Sequence, residues 1–130
     1  MDNKNQSLSE TLDNIYHRLM DAYGHQHWWP AEEPFEMMVG AILTQSAAWL
    51  NVEKAIANLR AAAALSPQAL RLLNLPELAA LIYPSGYYNV KARKLKSLAC
   101  WLGDNCDDDL SSLFDGSAER LRQQLLSIWG

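Results

Sequence analysis

The chain has 130 residues, 49% of them hydrophobic and 20% charged, with a net charge of −4, which is one domain's length and enough to bury about two-thirds of the unfolded surface. This composition excludes a disordered or low-complexity chain, and the acidic balance excludes a general electrostatic attraction to nucleic acid, so such binding needs a local basic patch, for which Lys91 to Lys96 is the candidate. Met1 to Gln6 lacks the apolar stretch of a secretory signal, and the longest apolar or glycine run, Met37 to Leu43, is too short to span a bilayer; a single soluble, intracellular domain over residues 1–130 is expected.

Every periodic signal is helical. Leu8, Leu12, Ile15, Tyr16, Leu19, Met20 and Tyr23 recur at three- and four-residue steps, Ser7 and Glu10 fit a capping box, and Gly24 suits a C-terminal left-handed position. After a loop from His25 to Glu33, Pro34 takes a natural first helical position, and Phe35 to Leu43 is apolar nearly all round, which predicts a helix at the centre of a bundle. Its lone charge, Glu36, fits either a site acid or a first-turn acid favoured by the helix dipole. Thr44-Gln45-Ser46 breaks this helix, and a third runs to about Ala64 with Val52, Ile56, Leu59 and Ala63 inward.

Ser66-Pro67 starts a short helix, and Pro76 starts another that ends near Ile82, before the turn Tyr83 to Tyr88. Asn89 is the expected cap of the next helix, on which Leu95, Leu98, Ala99 and Leu102 share one face while Arg93 and Lys96 point away. Asp107-Asp108-Asp109 reads as a solvated loop, and a last helix runs from about Ser117 with Leu121, Leu125 and Ile128 inward. The fold class is all-α, a multi-helix bundle. Cys100 and Cys106 match no zinc or redox spacing, and His25 and His27 have no further ligand pair nearby, so no metal and no cofactor are read.

Trp28-Trp29-Pro30 ahead of the second helix and Trp49 beyond its end could wall a slot in which a flat, electron-poor ring stacks; core filling is the competing use of each indole. Read in order, Pro34-Phe35-Glu36 with the apolar run to Thr44-Gln45, then Asn51-Val52-Glu53-Lys54-Ala55, then Ser85-Gly86-Tyr87-Tyr88-Asn89-Val90-Lys91-Ala92, resemble the endonuclease III (helix-hairpin-helix) family of DNA glycosylases. The Trp-Trp-Pro loop and Trp49 look most like its 3-methyladenine glycosylases, whose substrates carry delocalised positive charge that an indole face attracts.

The resemblance implies base-excision repair on double-stranded DNA with a damaged base, an alkylated purine foremost, and a nucleotide flipped out of the duplex. It makes Trp28, Trp29, Pro30 and Trp49 a base pocket, Gln45 or Ser46 the group that fills the vacated space, Tyr87 the wedge in the opposite strand, and Lys91 and Lys94 contacts to the DNA backbone. The subgroup tends to carry Asn-Thr where this chain has Ser46-Ala47. It also implies an incomplete six-helix-barrel domain: Ile128-Trp129-Gly130 matches the entrance of a glycine hairpin, and the catalytic Asp is expected downstream of Gly130, which leaves no catalytic residue and no activity in residues 1–130 alone. Apolar faces left uncovered would favour marginal stability or self-association. A cytoplasmic, nucleoid-associated repair protein follows from the same resemblance, with a non-enzymatic helical module that binds DNA or a partner as the alternative.

Overall fold

The computed structural model describes residues 2–27 and 29–129, with side chains from Ser7 onward. Its helices are α1 (Asp2–Tyr23), α2 (Pro34–Leu43), α3 (Trp49–Ala61), α4 (Pro67–Leu72), α5 (Leu75–Leu81), α6 (Tyr88–Cys106) and α7 (Ala118–Leu126), with 3-10 turns at Tyr83–Ser85 and Leu110–Asp115. The described residues contain no strand. The chain divides into two compact units, Met1–Pro30 and Ala31–Gly130.

The first unit is built on α1. The helix starts ahead of Ser7, so the capping box expected there is not its beginning; Ser7 instead lies inside the helix, where its carbonyl accepts a bond from the Thr11 hydroxyl at 2.8 Å. Its end follows expectation, with Gly24 at φ 67° donating its amide to the Met20 carbonyl. The apolar stripe of Leu8, Leu12, Ile15, Tyr16, Leu19 and Tyr23 is exposed.

The second unit is organised around α6. Ala92, Leu95, Leu98, Ala99 and Leu102 recur at three- and four-residue steps, and all are buried. The two alanines keep that face shallow, so α6 packs against α2, α4 and α5 with the leucines filling the spaces between them. Helix α2 buries Phe35, Glu36, Val39, Gly40 and Leu43, but Met37 and Ala41 are exposed. It therefore lines the core with one face and is not surrounded. Helix α3 buries Val52, Ala55, Ile56 and Leu59 and ends at Ala61; Ala63, expected inward, is exposed with φ 51°, and Ala64 enters the core instead.

Local capping sets the short elements. Ser66 accepts from the Ala69 amide at the start of α4, Asn74 and Glu77 form a reciprocal capping box at α5, and Ser117 accepts from the Arg120 amide at α7. Asn89 is not the cap of α6: the helix begins at Tyr88, and Tyr87, two residues before Asn89, occupies the cap position in a left-handed conformation.

Two ion pairs tie distant segments. Arg60 donates to Glu36 at 2.7 Å, with Glu36 also accepting from the Glu32 amide at 3.2 Å, so the α2 acid has a structural partner on α3. Arg71 donates to both oxygens of Asp108, at 2.7 and 2.6 Å, and to the Ala99 carbonyl at 2.7 Å. The acidic run is thus not simply solvated, because Asp108 turns inward to hold α4 against the end of α6. Lys96 does not point away either; its ammonium donates to the Arg71 carbonyl at 2.8 Å. Gly103 makes room for this cluster, since a Cβ there would lie 2.9 Å from Arg71 Nη1.

Two predictions follow from these packing relations. Leu95→Ala, at a fully buried site, is expected to lower unfolding free energy by about 2–5 kcal/mol in denaturant titration. The Arg71 hydrogen bonds hold the Asp108 carboxyl below its usual range. A carboxylate whose folded value is depressed stabilises the fold above its unfolded value and loses that contribution as pH falls through the folded one. Melting temperature should therefore drop on acidification below about pH 4, and Asp108→Asn, which tolerates the φ of 62° at this position, should melt lower at neutral pH with a shallower acid dependence.

Candidate nucleic-acid interface

The break after α2 is a tight turn. The Thr44 amide bonds to the Gly40 carbonyl at 2.9 Å, the Gln45 amide to Ile42 at 3.3 Å and the Ala47 amide to Thr44 at 3.3 Å. Ser46 has φ 53°, a left-handed conformation disfavoured for a residue with a Cβ, and both Gln45 and Ser46 are exposed. Ala47 is partly buried against the core and anchors the far side of the turn.

The turn before α6 is built on a comparable device. Ser85 is buried and its hydroxyl donates to the Ile82 carbonyl at 2.7 Å. Gly86 has φ 69° and ψ 165°, a region open essentially to glycine alone. Tyr87 follows at φ 44° and ψ 38°, and its side chain is 72% exposed. This conformation projects a phenol ring from the start of a helix whose other aromatic there, Tyr88, packs on Tyr83 with ring centroids 4.8 Å apart.

These two turns meet. Gln45, Ser46, Tyr87, Val90, Lys91 and Lys94 line one groove of about 230 Å³, below the roughly 300–1,000 Å³ of sites that enclose a small-molecule ligand. The residues expected to fill the DNA gap and to wedge the opposite strand therefore share one surface, although 42 positions separate Gln45 from Tyr87.

The two lysines at the groove differ in kind. Lys94 is partly exposed, and its ammonium donates to Gln45 Oε1 at 2.7 Å. Lys91 is 2% exposed, with its ammonium bonded to the Leu43 carbonyl at 2.8 Å and the Ser85 carbonyl at 2.6 Å. Where the sequence suggests a phosphate contact at Lys91, two of its three ammonium protons are given to backbone carbonyls inside the protein. Burial, and secondarily the neighbouring Lys94 charge, push its ammonium below the usual lysine range. The signal for this was available, because Lys91 lies four residues before Leu95 and seven before Leu98 on the buried stripe of α6.

Trp49 begins α3, where it is partly buried against the core and its indole N–H donates to Glu53 Oε1 at 2.9 Å. Trp29 and Pro30 belong to the first unit, with Trp29 partly buried. Trp28 of the expected base pocket and Gly130 of the expected hairpin entrance lie outside the described residues. Among the described residues no group of three or more His, Cys, Asp or Glu side chains is placed to hold a metal ion, and no helix is long and apolar enough to cross a membrane.

Comparison with known proteins gives three concordant matches. Residues 39–127 match the family model of the HhH-GPD superfamily of base excision DNA repair proteins. A protein of Methanocaldococcus jannaschii named as a DNA repair glycosylase is 44% identical over 124 residues, which cover 93% of this chain and 56% of that protein. The crystal structure of the H. pylori 3-methyladenine DNA glycosylase bound to 1,N6-ethenoadenine superposes with a TM-score of 0.68 at 26% identity, covering 88% of this chain and 56% of that one. The chain thus spans a little over half the length of the relatives it matches. With the family model matched through both turns of the groove, the all-helical fold and the sequence motifs have one common explanation: this chain belongs to the HhH-GPD superfamily of base excision DNA repair proteins.

Proposed function

We propose that this chain supplies the damage-recognition side of a base-excision DNA glycosylase, which flips an alkylated purine out of double-stranded DNA. The observation that carries this reading is the shared groove of Gln45, Ser46 and Tyr87. A flipped nucleotide leaves a gap in one strand and an unpaired base in the other, and a polar filler beside an aromatic wedge suits the two together. In this assignment Gln45 or Ser46 enters the gap, Tyr87 stacks into the opposite strand, and Lys94 reaches a neighbouring phosphate with the ammonium protons not given to Gln45. The two relatives, one named as a DNA repair glycosylase and the other a 3-methyladenine glycosylase bound to 1,N6-ethenoadenine, support the reaction class and the purine preference.

The indoles are assigned to the damaged base because a cationic purine gains from an electron-rich face beyond its buried area. The full-length protein is expected to release 3-methyladenine from alkylated DNA, and Trp29→Ala and Trp49→Ala are each expected to abolish most of that release. Unchanged release in both variants would reject the base-pocket assignment. Tyr87→Ala should weaken binding to a duplex with an abasic-site analogue by about 1–3 kcal/mol, the loss of one stacking contact. Fluorescence anisotropy measures this directly, and an unaltered affinity would reduce Tyr87 to a loop residue.

A further inference from the structure

Burying a lysine ammonium is costly, and this one does not pair with a carboxylate. Its two acceptors are the carbonyl of Leu43, immediately before the Thr44–Ser46 turn, and the carbonyl of Ser85, immediately before Gly86 and Tyr87. Both are backbone atoms, so Lys91 fixes the path of the chain at the root of each turn. One helical turn further along α6, Lys94 grips the Gln45 amide at the tip of the first turn. Hence α6 touches the filler turn at its base and its tip, and the wedge turn at its base. Ser46 and Tyr87 are both held in left-handed conformations, which persist only where the surroundings over-determine them.

We propose that Lys91 and Lys94 are positioning residues, a two-point clamp that keeps the Gln45-Ser46 turn and the Tyr87 turn at one fixed spacing so that both enter damaged DNA as a single rigid unit. The inference rests on the reading that these turns contact DNA at the lesion. Preorganisation of this kind favours a duplex with a gap of matching size and contributes little to an intact duplex, which offers nothing to insert into. The clamp therefore acts on discrimination between damaged and intact DNA. A lysine that only stabilised the bundle would change melting and leave that discrimination alone.

The test measures affinity for two duplexes, one with an abasic-site analogue and one intact, with 2-aminopurine opposite the lesion to report insertion of the wedge. Lys91→Met keeps the apolar stem and removes both carbonyl bonds. It is expected to lower the damaged-to-intact affinity ratio roughly tenfold, the scale of one misplaced stacking contact, and to diminish the 2-aminopurine change. Adding Tyr87→Ala to Lys91→Met should then cost much less than Tyr87→Ala costs alone. Lys94→Met, at the surface, leaves the core intact and decides the matter if Lys91→Met does not fold. Losing a phosphate contact lowers both affinities together, whereas losing the clamp lowers their ratio, and that drop should vanish when Gln45 is already alanine. If Tyr87→Ala and Gln45→Ala leave the ratio unchanged, the DNA-facing reading fails and the clamp with it. If they lower the ratio while both lysine variants preserve it, the clamp alone is overturned.

Discussion

A buried ammonium group bonded to two backbone carbonyls is the constraint on which the candidate interface depends. Leu43 and Ser85 lie at the ends of different elements, and neither turn has an internal reason to stand beside the other. Lys91 supplies that reason from a third element, through bonds of 2.8 and 2.6 Å. A charged donor bonded to carbonyls in a low-dielectric setting is stronger than its neutral counterpart, which offsets part of the desolvation that depresses the lysine's basicity. An apolar residue at this position would take the Lys91 donor from both carbonyls, leaving only the Lys94 bond to Gln45 to hold the first turn to α6.

The rest of the second unit serves to hold α6 where this constraint needs it. Small and large apolar residues alternate along its buried face, and α4 and α5 are pressed onto it. Arg71, Asp108 and the Ala99 carbonyl secure the far end of the helix, with Lys96 bonded back to the Arg71 carbonyl. Arg60 and Glu36 tie α2 to α3, so the helix that delivers the Gln45 turn is fixed at its start as well as at its end. Several charged side chains, Glu36, Arg60, Arg71, Lys91, Lys96 and Asp108 among them, thus connect segments instead of simply coating the surface.

That division explains what could be read from the amino-acid order. Helix positions and the apolar stripe of α6 follow from three- and four-residue recurrence, and Ser66, Asn74 and Ser117 or their neighbours announce the starts of short helices. The motifs around Gln45 and Gly86 were recognisable because each is a local pattern. Tertiary ion pairs are not local: Arg71 and Asp108 lie 37 residues apart, and nothing in an acidic triplet says which member will turn inward. Lys91 is the instructive case. Its phase on α6 marked it as inward, but the tendency of lysine to lie at the surface, and its place in a basic run, pointed to phosphate. Asn89 likewise fits a cap by type, while Gly86 and Tyr87, whose positive φ values turn the chain into the helix, place the cap of α6 two residues earlier, at Tyr87.

The proposed function and the proposed clamp together make one physical statement, that the lesion is met by two turns locked together before DNA arrives. A crystal structure of this chain with a duplex carrying an abasic-site analogue tests it most directly. The account predicts the Tyr87 ring between bases of the strand opposite the lesion, Gln45 or Ser46 in the gap, and the Lys91 ammonium still bonded to the Leu43 and Ser85 carbonyls. DNA bound at another face, or turns that separate and release Lys91 as they enter the duplex, would contradict it.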